Sequence, residues 1–144
     1  MSKQGGEGYV VVIGCGRLGA YLAETLNARG SSVVVIDENA SAFEKLPAEF
    51  SGFSIEGDAA EISVLRQAKC GQADLVVAVT GNDNLNLMAV QIARRMLGAK
   101  RTVARVDDPG RVTAFEDSGI EIVSPTTISA GRFLTQISYP KEGF

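Results

Sequence analysis

The sequence predicts an α/β fold: a Rossmann-like, doubly wound, six-stranded parallel sheet with a crossover helix at its C-terminal end. Three observations predict it. Five short runs, residues 9–13, 33–36, 75–79, 103–106 and 120–123, are rich in valine and isoleucine and apolar without alternation. Strands buried on both faces of a parallel sheet read this way. Segments suited to helices separate them, at 18–28, 40–46, 62–68, 84–97 and 111–117; such alternation implies right-handed crossovers that cover both sheet faces. Finally, the first strand runs directly into Gly14-Cys15-Gly16-Arg17-Leu18-Gly19, which opens the first helix.

The element boundaries follow from local punctuation. Gly30 stops the first helix after Asn27-Ala28-Arg29, and Gly98 stops the 84–97 helix after Met96-Leu97, as glycine does just past a helix end. A weaker sixth strand falls at 52–55. Asn82 or Asp83 can cap the helix that begins at Asn84. Asp108-Pro109 opens the next helix, with proline in its first turn. Ser124-Pro125-Thr126 opens a last one, on which Ala130, Phe133, Leu134 and Ile137 fall on a single stripe. Residues 1–8 read as a flexible lead without an apolar signal region, 9–138 as one domain and 139–144 as a tail.

Bulk properties narrow the function. In 144 residues, 45% are hydrophobic and 22% charged, enough to build a core without disulfides or metal. The formal charge of -3 argues against a nucleic-acid partner, whose phosphates call for a basic face. No apolar run reaches the ~20 residues that span a bilayer. Cys15 and Cys70 are far apart and read as reduced thiols. The chain has no histidine, so the commonest general base is missing. That tilts the reading from enzyme to binding module.

The candidate chemistry lies at the ends of the strands. In the glycine motif, Gly14 allows a tight turn, Gly16 lets the backbone approach a pyrophosphate, and Gly19 permits close helix–strand packing. The helix start then offers free N–H groups to phosphate. Asp37 closes the second strand 18 residues after Gly19, where a carboxylate can bond the ribose hydroxyls of an adenosine. Its neighbours Glu38 and Asn39 supply no arginine for a 2′-phosphate, so NADP is disfavoured. Arg17, at the helix start, either reaches terminal phosphates, in its own subunit or a neighbour's, or is simply exposed. Cys15 is expected to be a small packing residue although a helix start can lower a thiol's pKa.

Further segments follow the third, fourth and fifth strands, where open α/β sheets bind ligands. Asp58, in Gly57-Asp58-Ala59, either serves the adenine amino group indirectly or caps a helix. In Thr80-Gly81-Asn82-Asp83 and the start of the next helix, Asn86 could donate to a ribose or phosphate or belong to a polar helix face. Arg105 ends the fifth strand, directed to the same crevice or to a partner subunit.

This ordered set resembles the TrkA-N family, the N-terminal regulatory domains of potassium transport and channel proteins, also named KTN or RCK domains. Its parts are Gly14-x-Gly16-Arg17-x-Gly19, Val35-Ile36-Asp37, Gly57-Asp58-Ala59, residues 73–80 with Asn82, Asp83 and Asn86, Ala104-Arg105-Val106, and Gly119-Ile120 to Ser124-Pro125. The likeness runs from about Tyr9 to Ile137. It implies a cytoplasmic subunit, peripherally associated with the inner face of the cell membrane, that binds NAD(H), ATP or ADP and reports to a membrane potassium transporter or channel pore subunit. It implies a role for Arg17 at the nucleotide phosphates, and a homodimer or higher homo-oligomer assembled through the late helices, for which the Ala130–Ile137 stripe is suited. One departure stands out. Most relatives carry a second, C-terminal domain, so a separate polypeptide would supply it, or the chain is a fragment or minimal subunit.

The expected nucleotide site therefore comprises Gly14, Cys15, Gly16, Arg17, Leu18, Gly19, Asp37, Glu38, Gly57, Asp58, Ala59, Thr80, Gly81, Asn82, Asn86 and Arg105. The competing reading is a small NAD-dependent oxidoreductase. The missing histidine, the lack of a substrate domain, and a Tyr139-Pro140-Lys141 spacing unsuited to a catalytic Tyr–Lys pair stand against it.

Overall fold

The computed structural model describes residues 8–142. Residues 1–7 of the expected 1–8 lead and the last two residues of the tail lie outside that range. Its strands are β1 (Tyr9–Ile13), β2 (Ser32–Asp37), β3 (Phe53–Glu56), β4 (Leu75–Ala78), β5 (Thr102–Arg105) and β6 (Glu121–Val123). They form one parallel sheet in the order β3-β2-β1-β4-β5-β6. The switch of direction falls at β1, between the half that winds to β3 and the half that winds to β6. The helices are α1 (Arg17–Ala28), α2 (Ile62–Gln67), α3 (Asp83–Gln91), α4 (Pro109–Ala114) and α5 (Pro125–Ser138). The six strands and alternating helices match the sequence expectation.

The valine runs divide strictly by parity. Val10, Val12, Val33, Val35, Leu75 and Val77 face one layer, where Leu18, Leu22 and Leu26 of α1 pack on them. Val11, Ile13, Val34, Ile36, Val76 and Ala78 face the other, against Leu65 of α2 and Leu87 and Val90 of α3. A continuous apolar run is thus two alternating sets, each with its own helical cover.

The local signals acted where expected, with shifts at the ends. Asn82 caps α3 by accepting from Leu85 N at 3.0 Å, and Asp108 caps α4 by accepting from Gly110 N at 3.0 Å. With Pro109 at its first position, α4 begins and ends earlier than the apolar spacing suggests. The expected helix at 40–46 is a 3₁₀ segment, Ala40–Lys45; Asn39 caps it through Ser41 N, and Pro47 closes so short a piece. The 84–97 helix changes to a π-helical turn over Ile92–Leu97 before the left-handed Gly98 (φ +96°). Within this turn Ala93 stays buried.

Among the described residues, α4 and α5 both lack a buried residue, but Val112 of α4 packs against the core whereas α5 is left without a cover. Its Phe133, Leu134 and Ile137 are 68%, 62% and 70% exposed. The stripe is not part of this chain's core.

Leu65 is fully buried under the sheet. Leu65→Ala is expected to lower unfolding free energy by about 2–5 kcal/mol, read as a fall in urea midpoint with an unchanged slope.

Candidate nucleotide-binding site

The site begins with the turn after β1. Gly14 N donates to Ile36 O at 2.7 Å, and Gly14 then takes φ +102°, a left-handed conformation that suits glycine. This turns the chain into α1 so tightly that a Cβ on Gly19 would lie 1.8 Å from the Gly14 carbonyl oxygen. A Cβ on Gly16, by contrast, would meet nothing within 4 Å. The middle glycine therefore lies open, at a helix start whose free N–H groups suit an anion.

Asp37 ties the second strand to this turn. Its Oδ2 accepts from Cys15 N at 2.8 Å and its Oδ1 from Asn39 N at 2.9 Å. Each carboxylate oxygen keeps a second acceptor position, so the group can hold the turn and still accept from a ribose hydroxyl. Beneath the turn, Cys15 is fully buried. Burial raises its thiol pKa, and the Asp37 carboxylate raises it further; Lys45 opposes them. The helix start does not make this cysteine a reactive thiolate. Its backbone N–H serves the site, while its side chain packs.

The sheet's carboxyl edge opens into a cavity of about 820 Å³. Gly14 and Gly16 line it from the turn, Asp37 and Glu38 from β2, and Gly57, Asp58 and Ala59 from β3. Thr80, Gly81 and Asn82 follow from β4, and Arg105 from β5. Loops distant in sequence by up to ninety residues thus share one wall. Asp58 accepts from Ala60 N at 2.8 Å; it shapes its own turn, and Glu61 occupies the cap position of α2.

Five expected residues stand elsewhere. Gly19 and Cys15 are under the turn; Leu18 packs beneath α1. Arg17 is exposed at the first position of α1, outside the cavity wall. Asn86 is the clearest correction. It is fully buried, not on a polar helix face, and its amide is saturated. Its Oδ1 accepts from Thr80 N at 3.0 Å and from Thr80 Oγ1 at 2.6 Å, and its Nδ2 donates to Thr80 O at 3.0 Å and Arg105 O at 2.9 Å. Asn86 is a bracket that fixes the ends of β4 and β5; it has no donor left for a ligand.

Sequence reasoning also missed part of the wall. Ile13, Ile36 and Val79 form its floor, and Asn84, Leu85 and Met88 of α3 form one side. The i, i+1, i+4 spacing of those three was the available signal: they project together from the helix that Asn82 caps. The mouth of the cavity is consequently mixed, with carboxylates towards β2 and β3 and an apolar flank towards α3.

This arrangement defines a Rossmann-type α/β fold with a cavity at the carboxyl edge of its sheet. The chain belongs to the TrkA-N domain family, whose profile matches residues 10–125. It is similar to the Trk system potassium uptake protein TrkA of Streptomyces coelicolor, with 33% identity over 129 residues, covering 90% of this chain and 58% of that protein. The corresponding protein of Pyrococcus horikoshii, described as a TrkA homolog, is 35% identical over 109 residues, covering 76% and 48% respectively. The chain therefore spans about half the length of these curated relatives. Among solved structures, GsuK bound to ADP superposes with a TM-score of 0.78 at 24% identity, covering 94% of this chain and 35% of that one.

Replacing Asn86 with Ala leaves the Thr80 and Arg105 carbonyls and the Thr80 N–H without their partner. A loss of about 3 kcal/mol is expected, measurable as a lowered urea midpoint.

Proposed function

We propose that this chain is a nucleotide-binding regulatory domain of a potassium uptake or channel system. In this reading it senses NAD(H) or ATP/ADP at the cytoplasmic face of the membrane and acts on a pore partner. The observation that carries it is the cavity: a glycine turn open at Gly16, with Asp37 beside it, in a chain of the TrkA-N family. An adenine nucleotide fits these residues, with phosphate on the turn and helix start, ribose on Asp37, and adenine among Gly57, Asp58 and Ala59. The carboxylates of Asp37, Glu38 and Asp58 surround that end and disfavour a 2′-phosphate. A related fold is described as bound to ADP and, in the GsuK channel, to NAD, which supports an adenine nucleotide without choosing between them. Among the described residues no helix is long and apolar enough to cross a membrane, so the pore would be another polypeptide or segment.

Regulation requires two states with different nucleotide affinity. We assign the second surface to α5. Its exposed Phe133, Leu134 and Ile137 make an apolar face that a second copy of the chain would cover, coupling the nucleotide to the geometry of a homo-oligomer. A separate protein supplying a C-terminal regulatory domain is a further partner in this reading; nucleic acid is not.

Thermal melting with AMP, ADP, ATP, NAD+ and NADH tests the site. A ligand at a hundred times its Kd adds about 2.7 kcal/mol to native-state stability, so at least one should raise the Tm and Gly16→Asp should abolish the rise. No shift with any of the five would refute the reading, and steady NADH turnover with carbonyl substrates would favour an oxidoreductase instead. For α5, Leu134→Asp is expected to change monomer stability by less than about 0.5 kcal/mol while lowering the mass seen by light scattering.

A further inference from the structure

Arg105 is the one cation in the cavity wall among the described residues, and its guanidinium is already held. Nε donates to Asp107 Oδ1 at 3.0 Å and Nη2 to Asp107 Oδ2 at 3.1 Å. The two side chains are 26% and 34% exposed, so the pair is well shaped but not locked away from water. Asp107 does not line this cavity. It lines a neighbouring hollow with Asp83, Asp108 and Arg111, and Gly81, Asn82 and Asn84 border both. Arg105 thus stands on the divide, facing a ligand space on one side and a fixed internal anion on the other.

Strand register says which part of a ligand can reach it. Ile36 pairs with Ile13, Ile13 with Ala78, and Ala78 with Ala104. The next residue of each strand therefore falls in one row: Asp37, Gly14, Val79, Arg105. With neighbouring strands about 4.8 Å apart, Arg105 stands roughly 10 Å from the glycine turn and roughly 14 Å from Asp37. An adenosine on Asp37 with its first phosphate on the turn presents to Arg105 only what lies beyond that phosphate. A guanidinium fork at that distance selects an anion.

We propose that Arg105 makes the cavity select adenine nucleotides by the phosphates they carry beyond the first, and that Asp107, a built-in competitor for the guanidinium, tempers that selection. This rests on the nucleotide reading above and adds its selectivity. A distal phosphate takes the guanidinium from Asp107, whereas AMP leaves the pair intact. The exchange needs little backbone movement. Asp83 accepts from Asp107 N at 2.8 Å and from Asp108 N at 3.1 Å, which pins the corner while the Asp107 side chain turns. The released carboxylate then meets two carboxylates, Asp83 and Asp108, and one cation, Arg111, which already faces Asp108 at 3.8 Å, so the net like charge of the second hollow opposes the exchange. Asp107 therefore weakens the grip on a distal phosphate that Arg105 would otherwise have.

Calorimetric titration of AMP, ADP and ATP into the unaltered chain, Asp107→Asn and Arg105→Gln tests the proposal. Asp107→Asn should tighten ATP or ADP by roughly fivefold or more with AMP unchanged within about twofold, and Arg105→Gln should bring ATP close to AMP. Equal shifts of AMP and ATP in Asp107→Asn, or an unaltered ATP-to-AMP ratio in Arg105→Gln, would overturn it. AMP binding by each variant reports an intact site; should Asp107→Asn lose it, Asp107→Ala, with the same expected and overturning outcomes, takes its place. If the unaltered chain binds none of the three and no NAD+, the nucleotide reading itself fails, a result separate from failure of the selectivity.

Discussion

The structure depends on how closely α1 lies over the end of β1. At Gly19 the helix approaches the Gly14 carbonyl to a distance that leaves no space for a Cβ. Any larger residue would push the helix outward and carry its N-terminus away from the sheet edge. With the helix seated, Cys15 N falls within reach of Asp37, and the second strand becomes tied to the glycine turn. Fold and site thus share one constraint: the packing that completes the layer of Leu18, Leu22 and Leu26 also aims the helix start into the cavity.

The opposite wall is held by a different device. A buried amide is costly unless its hydrogen bonds are made, and Asn86 makes all of them to Thr80 and Arg105. Asp83, three residues earlier on α3, holds the corner after β5 through Asp107 N and Asp108 N. Helix α3 is therefore both the apolar flank of the cavity and the clamp on two strand ends. A helix that touches the ligand space with Leu85 and Met88, and the strand ends with Asp83 and Asn86, is suited to pass strain between them.

The two ends of the chain differ in finish. The central strands β1, β2 and β4 are almost wholly buried and β5 on alternate residues, whereas the edge strands β3 and β6 are largely exposed and α5 has no buried residue. Such an end gains stability only when another surface covers it, since a row of exposed large apolar side chains remains in contact with water. The chain therefore carries a cavity floored by buried strands next to a helix whose apolar face lies open to water.

How much of this was legible in the residues varied with the kind of physics involved. The sheet was, because continuous valine and isoleucine runs separated by helix-length segments admit few other arrangements. The glycine turn and the place of Asp37 beside it were, because the glycines and the carboxylate answer to local geometry at fixed spacing. The roles of Asn86, Asp83 and Asp107 were not. An asparagine on a helix looks alike in sequence whether it faces water, a ligand or the backbone of two other strands. Its part was decided only when β4 and β5 came side by side and placed Thr80 and Arg105 around it. The order of strands and helices, the turn and its acidic neighbour could be read from the residues, since those rest on contacts between residues near in the chain or on simple periodicity. The tertiary structure alone decided which polar groups remain for a ligand, because that depends on which hydrogen bonds the packed strands have already taken.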